Sequence, residues 1–331
     1  MIRRAGSGPA IAVVIATYRR PALLRRCLTA LIAQQGIEEG GYEIIIVDDG
    51  CSEDTLAVVN ELAERTAGAP AVRYLRPTGT RGPAAARNCG WRATTAPIIA
   101  FTDDDTIPDP AWLASGRRVI EQGFMAASGR VVVPISAAPT DHARNTRGLE
   151  TAEFVTANAF VRRQALLQVG GFDERFTRAW REDSDLHFAL LERYGRIGQA
   201  TDAIVVHPVR EARWGISLSQ QANVYFDALL FRKHRRLYLA KVRRAPPWRY
   251  LAIVLGSVGA VVAALCGQTR VAACLAGLSL ALCLAFARQR LRGTSRSPAH
   301  VVEMLVTSVA IPYLAVFWRL RGAWRFKVLF P

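Results

Sequence analysis

The chain has 331 residues, of which 51% are hydrophobic, so it can bury the core of one large domain or of two modest ones. Its formal net charge of +16 comes from residues 231–331, which carry 17 Lys and Arg against Glu303 as the one acid. The six cysteines have no CxxC spacing, which argues against a zinc site or a disulfide framework and suits a cytosolic catalytic domain.

Short apolar runs alternate with helical patterns through the first half of the chain. Short runs rich in apolar residues predict four strands, at residues 11–16, 43–47, 72–75 and 98–101. Apolar residues at helical spacing predict three helices, at residues 21–34, 53–66 and 83–94. This alternation predicts a doubly wound α/β sheet, mostly parallel and covered on both faces, because its strands are apolar throughout.

The second half of this region is less regular. Residues 126–133 and 204–206 predict two more strands, and residues 170–176 predict a turn. Residues 181–194 predict a helix that opens with acids, which the positive end of a helix favours. Residues 217–236 predict a helix that becomes basic toward its end.

The last hundred residues contain apolar runs bracketed by basic clusters. Residues 251–267 and 271–287 carry no charge, and about 17 residues is the short end of a bilayer span. Basic flanks and a four-residue connection favour a membrane hairpin over a pair of buried core helices. A third run, residues 301–318, includes Glu303 and Pro312.

The basic clusters, at residues 232–249, 288–296 and 319–327, predict the membrane topology. The positive-inside rule places all three at the cytoplasmic face of the inner membrane. This favours a hairpin followed by an interfacial or re-entrant helix, with a third span as the alternative. The clusters border membrane runs and have no aromatic stacking platform, which favours anionic lipids as partners and argues against nucleic acid.

The expected domain organisation follows from these patterns. It consists of a catalytic domain over residues 1–230, a basic juxtamembrane linker over 231–250, a hairpin over 251–287 and a basic segment with the third helix over 288–331.

Polar clusters follow three of the strands, where ligands of such sheets bind. Asp103 and Asp105 stand two residues apart, so their carboxylates should share one side, with Asp104 on the other. Two such carboxylates suit Mn²⁺ or Mg²⁺, and His207 could close the site, since an imidazole favours Mn²⁺. A solvated acidic turn and an ordinary hydrogen-bonded histidine stay open as alternatives.

A second acidic cluster opens the predicted helix at 181–194. Glu182, Asp183 and Asp185 could provide a general base that takes a proton from an acceptor hydroxyl. The alternative is capping of the helix N-terminus, for which acids are favourable.

Six segments between residues 10 and 210 together resemble the family-2 glycosyltransferases. They stand in the family's order as VVIATYRRPALLRRCL, EIIIVDDGCSEDT, GPAAARNCGW, IIAFTDDDTIPDPAWL, VGGFDERF and REDSDL. The resemblance implies the GT-A fold, with a doubly wound mixed sheet. It also implies an inverting transfer from a nucleotide-diphosphate sugar with Mn²⁺ or Mg²⁺ as cofactor.

The resemblance assigns the donor side to named residues. Asp103 and Asp105 match the family's DxD pair, with Asp104 at its variable middle position, and His207 matches a metal- or diphosphate-contacting histidine. The nucleotide-sugar-binding residues it implies are Thr17, Tyr18, Arg19, Asp48, Asp49, Arg87, Asn88, Asp103 and Asp104. Asp183 matches the family's catalytic base, with Glu182 beside it.

Acceptor recognition is less determined by the sequence. Trp180, Arg162 and Arg163 are expected to flank the acceptor side. The processive polysaccharide synthases of the family carry QxxRW, whereas residues 210–214 here read REARW. This departure favours the addition of a single sugar.

The leading hypothesis is a membrane-anchored, non-processive glycosyltransferase that acts on a hydroxyl of a lipid-linked or other membrane-proximal saccharide. The alternative is a polyprenyl-phosphate glycosyltransferase, whose acceptor is a lipid phosphate. A remote alternative from another class is an inactive sugar-nucleotide-binding scaffold at the membrane.

Overall fold

The computed structural model of the chain describes residues 8–331, which form two compact units. The first, here called the sheet unit, comprises residues 8–134 and 147–208. The second, the helical unit, comprises residues 135–146 and 209–331. Residues 209–230, expected in the catalytic domain, group with the helices that follow them.

Within residues 8–331, eight strands form one sheet in the order β3-β2-β1-β4-β7-β6-β8-β5. The strands are β1 Ile11–Thr17, β2 Tyr42–Asp48, β3 Ala71–Leu75, β4 Ile98–Asp103, β5 Ile107–Pro108, β6 Ala126–Val132, β7 Asn158–Arg162 and β8 Gly198–Val206. The first four strands are parallel to one another, and β7 is antiparallel to both β4 and β6. The doubly wound mixed sheet expected from the sequence is thereby confirmed.

Helices connect the strands and continue to the C-terminus. The α-helices are α1 Pro21–Ile32, α2 Glu53–Glu64, α3 Pro83–Arg92, α4 Trp112–Glu121, α5 Asp141–Thr146, α6 Arg163–Val169, α7 Glu182–Tyr194, α8 Ile216–Ser219, α9 Val224–Lys233, α10 Arg235–Lys241, α11 Trp248–Leu265, α12 Thr269–Leu291 and α13 Pro298–Phe326. Two 3₁₀ turns, Arg147–Thr151 and Gln220–Asn223, add to them.

Both faces of the sheet are buried, which explains the uninterrupted apolar runs of its strands. In β1, Val13 belongs to the core under one face and Val14 to the core under the other. Helix α1 places Leu24 and Leu28 in the first core, and α3 places Trp91 in the second. Alternate residues of one strand therefore support two separate layers of helices.

The strand register brings the polar clusters to one edge of the sheet. Thr17 at the end of β1 pairs with Asp48 at the end of β2, and Ala16 pairs with Asp103 at the end of β4. The short strand β5 pairs antiparallel with β8, Ile107 opposite Val206. Because of this pairing, the turn after β4 runs beside the residue that follows β8.

The helical unit contains all the apolar runs of the C-terminal region. The helix expected over residues 217–236 is divided into α8, a 3₁₀ turn, α9 and α10. In the described part of the chain, α11, α12 and α13 are long and apolar enough to cross a membrane. The third apolar run is thus part of one helix of 29 residues with Pro312 inside it.

Helix α13 packs along the segment that precedes the hairpin. Near its start, the Glu303 carboxylate accepts a 2.8 Å hydrogen bond from the backbone N–H of Gly215. Near its end, the carbonyl of Phe326 accepts a 3.0 Å hydrogen bond from Arg232. Gly322 permits close approach, since a Cβ there would lie 2.6 Å from the backbone oxygen of Tyr225.

Candidate active site

The edge formed by the strand ends gathers a group that could hold a metal ion. Asp103, Asp105 and His207 each offer one ligand atom, and these atoms lie within 4.8 Å of one another. The Nε2 atom of His207 is 3.6 Å from Asp105 Oδ1. The pairing of β5 with β8 explains this proximity, because it fixes residue 105 beside residue 207 although they are far apart in sequence.

The donor set fits a divalent cation. His207 is buried, and its Nδ1 atom has no hydrogen-bond partner among the described residues. Two carboxylates concentrate negative charge beside that imidazole, and two oxygens with one nitrogen suit Mn²⁺ better than Mg²⁺. The residues that the sequence proposed as metal ligands are therefore brought together by the fold.

Asp104 faces away from this group. The Thr17 hydroxyl donates a 2.7 Å hydrogen bond to Asp104 Oδ2, and Arg20 donates one of 3.1 Å to Oδ1. Burial raises the pKa of Asp104, while Arg20 and Thr17 oppose that shift. Both carboxylate oxygens thus bind to the loop after β1, and the expectation that Asp104 binds the nucleotide sugar stays a prediction. Thr17 likewise orders the loop.

Arg87 connects the two acidic clusters of the site. Its Nη2 donates a 2.7 Å hydrogen bond to Asp103 Oδ1, and its Nη1 donates one of 3.0 Å to Glu182 Oε1. Arg87 is 4% exposed, so its observed contacts are with the acids, and its expected place in the nucleotide pocket stays a prediction. Its role as a bridge was missed, although two neighbouring acidic clusters favour a buried cation between them.

Glu182 and Asp183 begin α7, and both have raised pKa values. Burial, followed by the charge of Asp183, raises the pKa of Glu182 to about 8. Burial also raises the pKa of Asp183, and the backbone N–H of Ser184 opposes this with a 2.6 Å hydrogen bond to Oδ1. An aspartate with a raised pKa is a stronger base than an ordinary one, which suits proton abstraction.

Asn88 is a structural anchor of the loop after α6. Its amide donates to the Phe172 carbonyl and to Glu174, and its oxygen accepts from the Phe172 N–H and the Trp91 indole. These four bonds use both amide hydrogens and both lone pairs. Asn88 is 1% exposed, which favours a structural role over the expected place in the nucleotide pocket.

The aspartate pair after β2 divides into two roles. Asp48 is fully buried and accepts hydrogen bonds from Gly50, Ser52 and Tyr74, which hold its own loop. Its expected place at the nucleotide stays a prediction. Asp49 accepts from the Gly82 N–H through Oδ2, and in the described chain its Oδ1 has no hydrogen-bond partner. That oxygen is buried and lies 3.9 Å from Arg81 Nη1.

Two more donor-side candidates stand in the loop after β1. Tyr18 is 51% exposed, so its ring is accessible for stacking. The Arg19 guanidinium lies 5.4 Å from the centroid of that ring, and the Arg19 backbone has a φ of 53°. Tyr18 and Arg19 are thus the exposed residues among the donor-side candidates.

The three residues expected on the acceptor side differ in their contacts. Arg162 donates to the carbonyls of Ile120 and Phe124, and Arg163 donates to the carbonyl of Thr94. Both arginines thus satisfy carbonyls at or beyond the ends of helices rather than facing an acceptor. Trp180 is partly exposed, with the Arg181 guanidinium 4.7 Å from its ring centroid.

Comparison with known proteins gives a consistent result. Residues 12–182, slightly more than half of the chain, match the family described as Glycosyl transferase family 2. A pre-mycofactocin glycosyltransferase from Mycobacterium tuberculosis is 30% identical over 228 residues, covering 62% of this chain and 45% of that protein. The chain therefore spans less than half of that relative's length. Glycosyltransferase AglE from Haloferax volcanii is 25% identical over 228 residues, covering 65% and 72% of the two chains.

A solved structure with the same fold covers nearly the whole chain. It is the mannosyltransferase PcManGT from Pyrobaculum calidifontis, in complex with GDP-Man and Mn²⁺. The TM-score is 0.57 at 17% identity, over 96% of this chain and 88% of that chain. At this identity the likeness concerns the fold, and it confirms the expected GT-A architecture.

Proposed function

Because the chain belongs to glycosyl transferase family 2, we propose that it moves a sugar from a nucleotide-diphosphate sugar to an acceptor hydroxyl with inversion. The observation that carries this proposal is the position of Arg87. This one buried side chain donates hydrogen bonds both to Asp103, a candidate metal ligand, and to Glu182 at the acidic start of α7. Donor activation and proton abstraction would then be coordinated by one network of charges.

The donor side of the reaction rests on Asp103, Asp105 and His207. These residues would hold Mn²⁺ or Mg²⁺, which when bound neutralises the charge of the departing diphosphate. Mn²⁺ is the better candidate because the set includes an imidazole. Tyr18 would contact the nucleotide through its accessible ring, and the family motif favours a place for Asp49 beside the base and ribose.

The acceptor side rests on Asp183. Its carboxylate would take the proton of the acceptor hydroxyl while the oxygen bonds to the anomeric carbon from the face opposite the diphosphate. The bond between that carbon and the phosphate oxygen breaks in the same step, and its electron pair leaves with the diphosphate. A single displacement of this kind inverts the configuration. The raised pKa of Asp183 supports its role as the base.

The acceptor is proposed to be a lipid-linked or other membrane-proximal saccharide, and one sugar is added per encounter. Three apolar helices support attachment to a membrane, and the basic clusters beside them favour its anionic, cytoplasmic face. The contacts of α13 with Gly215 and Arg232 favour an interfacial helix over a third span. A C-terminal green fluorescent protein fusion tests this, because fluorescence requires a cytoplasmic C-terminus.

The reaction is tested with purified full-length protein, MnCl₂ and a panel of UDP- and GDP-sugars, with release of the nucleoside diphosphate as the readout. Asp183→Asn should lower turnover on a polyprenyl-diphosphate-linked saccharide by about 10²–10⁴-fold, the usual contribution of a general base. Glu192→Gln is the matched control, since it makes the same chemical change at an exposed site of α7. Unchanged turnover in Asp183→Asn would remove the base assignment.

The same assay separates the alternatives. A polyprenyl phosphate needs little deprotonation, so transfer to it should depend only weakly on Asp183. Strong activity on that acceptor which survives Asp183→Asn would favour a polyprenyl-phosphate glycosyltransferase. Donor binding without release of any nucleoside diphosphate would favour the inactive scaffold.

A further inference from the structure

The helical unit contains a cavity of about 360 Å³ that the proposed transfer reaction does not use. Its walls come from α5, the segment 210–213, α8, the end of α12 and the start of α13. All of these elements belong to the helical unit. The cavity is therefore a feature of the membrane-associated part of the protein.

One wall of the cavity is a fixed network around Arg290. This arginine is buried, and its guanidinium donates two hydrogen bonds to Asp141, of 2.9 and 3.2 Å. Its remaining donors go to hydroxyls of Ser217, Thr307 and Ser308. Every N–H of the guanidinium is thus engaged, so Arg290 and Asp141 form a rigid wall whose charges are already compensated.

Two basic residues of the cavity wall, His300 and Arg213, offer hydrogen-bond donors to a ligand. His300 is 5% exposed, and its Nε2 atom has no hydrogen-bond partner within residues 8–331. Its Nδ1 lies 3.8 Å from Glu303 Oε2, and that glutamate already accepts the Gly215 N–H. Arg213 lines the cavity with an exposed side chain. Arg210 and His142 add positive groups to the lining, and Glu211 adds one carboxylate.

The electrostatics of the cavity favour an anion with several acceptor oxygens. His300 stands in the first turn of α13, where the helix macrodipole is positive. Guanidinium groups bind phosphate oxygens with directed, charge-assisted hydrogen bonds. The Nε2 atom of the buried His300 imidazole has no partner among the described residues. It completes a set of donors for which a phosphate group supplies matching acceptors.

The position of the cavity indicates the carrier of that phosphate. Arg290 and His300 stand at facing ends of two helices that are long and apolar enough to cross or enter a membrane. Lipid headgroups lie at that depth. We propose that this cavity binds the phosphate group of an anionic lipid headgroup. The inference rests on the proposed membrane attachment and not on the transfer reaction.

The test uses full-length protein in a neutral sugar-based detergent, with the thermal unfolding midpoint as readout. The probes are a short-chain phosphatidylglycerol, a short-chain phosphatidylcholine and inorganic phosphate, each titrated to saturation. The variants are Arg213→Gln alone and combined with His300→Gln. Arg193→Gln is the matched control, because it removes one positive charge from an exposed site of α7, outside both the cavity and the basic clusters. A donor-sugar titration of the same samples reports on the proposed function separately.

We expect the wild type and Arg193→Gln to be stabilised by phosphatidylglycerol at equal concentrations. Arg213→Gln should raise the half-saturating concentration at least about tenfold, equivalent to about 1.4 kcal/mol of binding free energy, and the double variant further. Equal potency of inorganic phosphate would support the phosphate site with a soluble source. The proposal is overturned if the cavity variants respond like Arg193→Gln, or if phosphatidylcholine acts as well as phosphatidylglycerol.

Discussion

Each unit of the protein is organised around a buried arginine, and the two arginines differ in how completely they are satisfied. Arg290 in the helical unit faces one carboxylate and three hydroxyls, and all its donors are used. Arg87 in the sheet unit bridges Asp103 and Glu182, while its Nε lacks a partner among the described residues. A satisfied network stabilises one conformation, whereas an incomplete one is poised to accept a ligand.

The balance of charge around the two arginines also differs. Asp141 beside Arg290 is also paired with Arg144, so positive charge exceeds negative charge there. Around Arg87, more carboxylates converge than one guanidinium can neutralise. A divalent cation would remove that excess, which is why the sheet unit and not the helical unit has the features of a catalytic centre.

The largest expected effect separates neighbouring aspartates within the sheet unit. Asp105→Ala removes one of three candidate metal ligands, so Mn²⁺-dependent turnover should fall about a hundredfold or more, as for loss of a major electrostatic contribution to catalysis. Asp104→Ala is the control, because the contacts described above join that side chain to Thr17 and Arg20, at the end of β1 and in the loop after it. Equal loss in both variants would contradict the division of the triplet.

The second prediction compares the two arginines directly. Arg87→Met should destabilise the protein by about 3–5 kcal/mol, because it leaves buried carboxylates without their cation. Mn²⁺ should then raise the unfolding midpoint of this variant more than that of the wild type, since the ion supplies the missing charge. Arg290→Met should also be destabilised, yet its response to Mn²⁺ should equal that of the wild type. If Mn²⁺ raised the unfolding midpoint of both variants more than that of the wild type, the proposed difference between the two arginines would be wrong.

The third prediction concerns pH. The pKa of Glu182 is raised to about 8 by burial, so its contribution to stability is present at low pH and is lost as pH rises toward that value. Glu182→Gln does not titrate, so its unfolding midpoint relative to wild type should increase between pH 5 and 8. The effect is a few kcal/mol at most, since each raised unit of pKa costs about 1.4 kcal/mol.

The measurement is thermal unfolding in EDTA, so that no metal alters the acidic cluster. Glu192→Gln on the exposed side of the same helix is the control, and its difference from wild type should stay flat. A difference between Glu182→Gln and wild type that is constant or decreasing with pH would show that Glu182 is ionised in the folded protein.

Much of this fold could be predicted because burial on both faces leaves a strong signal. The strands at residues 11–17 and 42–48 contain the continuous apolar runs 11–16 and 44–47, which are typical of strands covered on both faces. The strand Asn158–Arg162 has only three apolar residues and no alternation, so periodicity does not reveal it. The 3₁₀ turn that divides the helix expected over 217–236 contains no Gly or Pro, so the sequence does not predict a break there.

The candidate site was predictable in its residue types but not in its contacts. Spacing alone placed Asp103 and Asp105 on one side, and the motif order supplied Asp183. A motif does not say which atoms a side chain meets, however, so Asn88 and Arg87 were expected at the nucleotide and lie in the interior. Arg162 is a similar case: it was expected on the acceptor side, and its observed partners are carbonyls at and beyond the end of a helix.

The smallest expected effect tests the structural role of Asn88. Asn88→Ala leaves the Trp91 indole N–H and the Phe172 N–H without their acceptor, and unsatisfied buried groups of this kind cost about 1–3 kcal/mol in total stability. The unfolding midpoint should fall while the affinity for the donor sugar, measured well below that midpoint, stays within about twofold, since polar contacts of about 1 kcal/mol or more would be needed for a larger change. The exposed Asn145 offers a matched Asn→Ala control that should alter neither quantity. A donor affinity that falls tenfold in Asn88→Ala with little change in the midpoint would return this residue to the nucleotide pocket, and with it the expectation drawn from the motif.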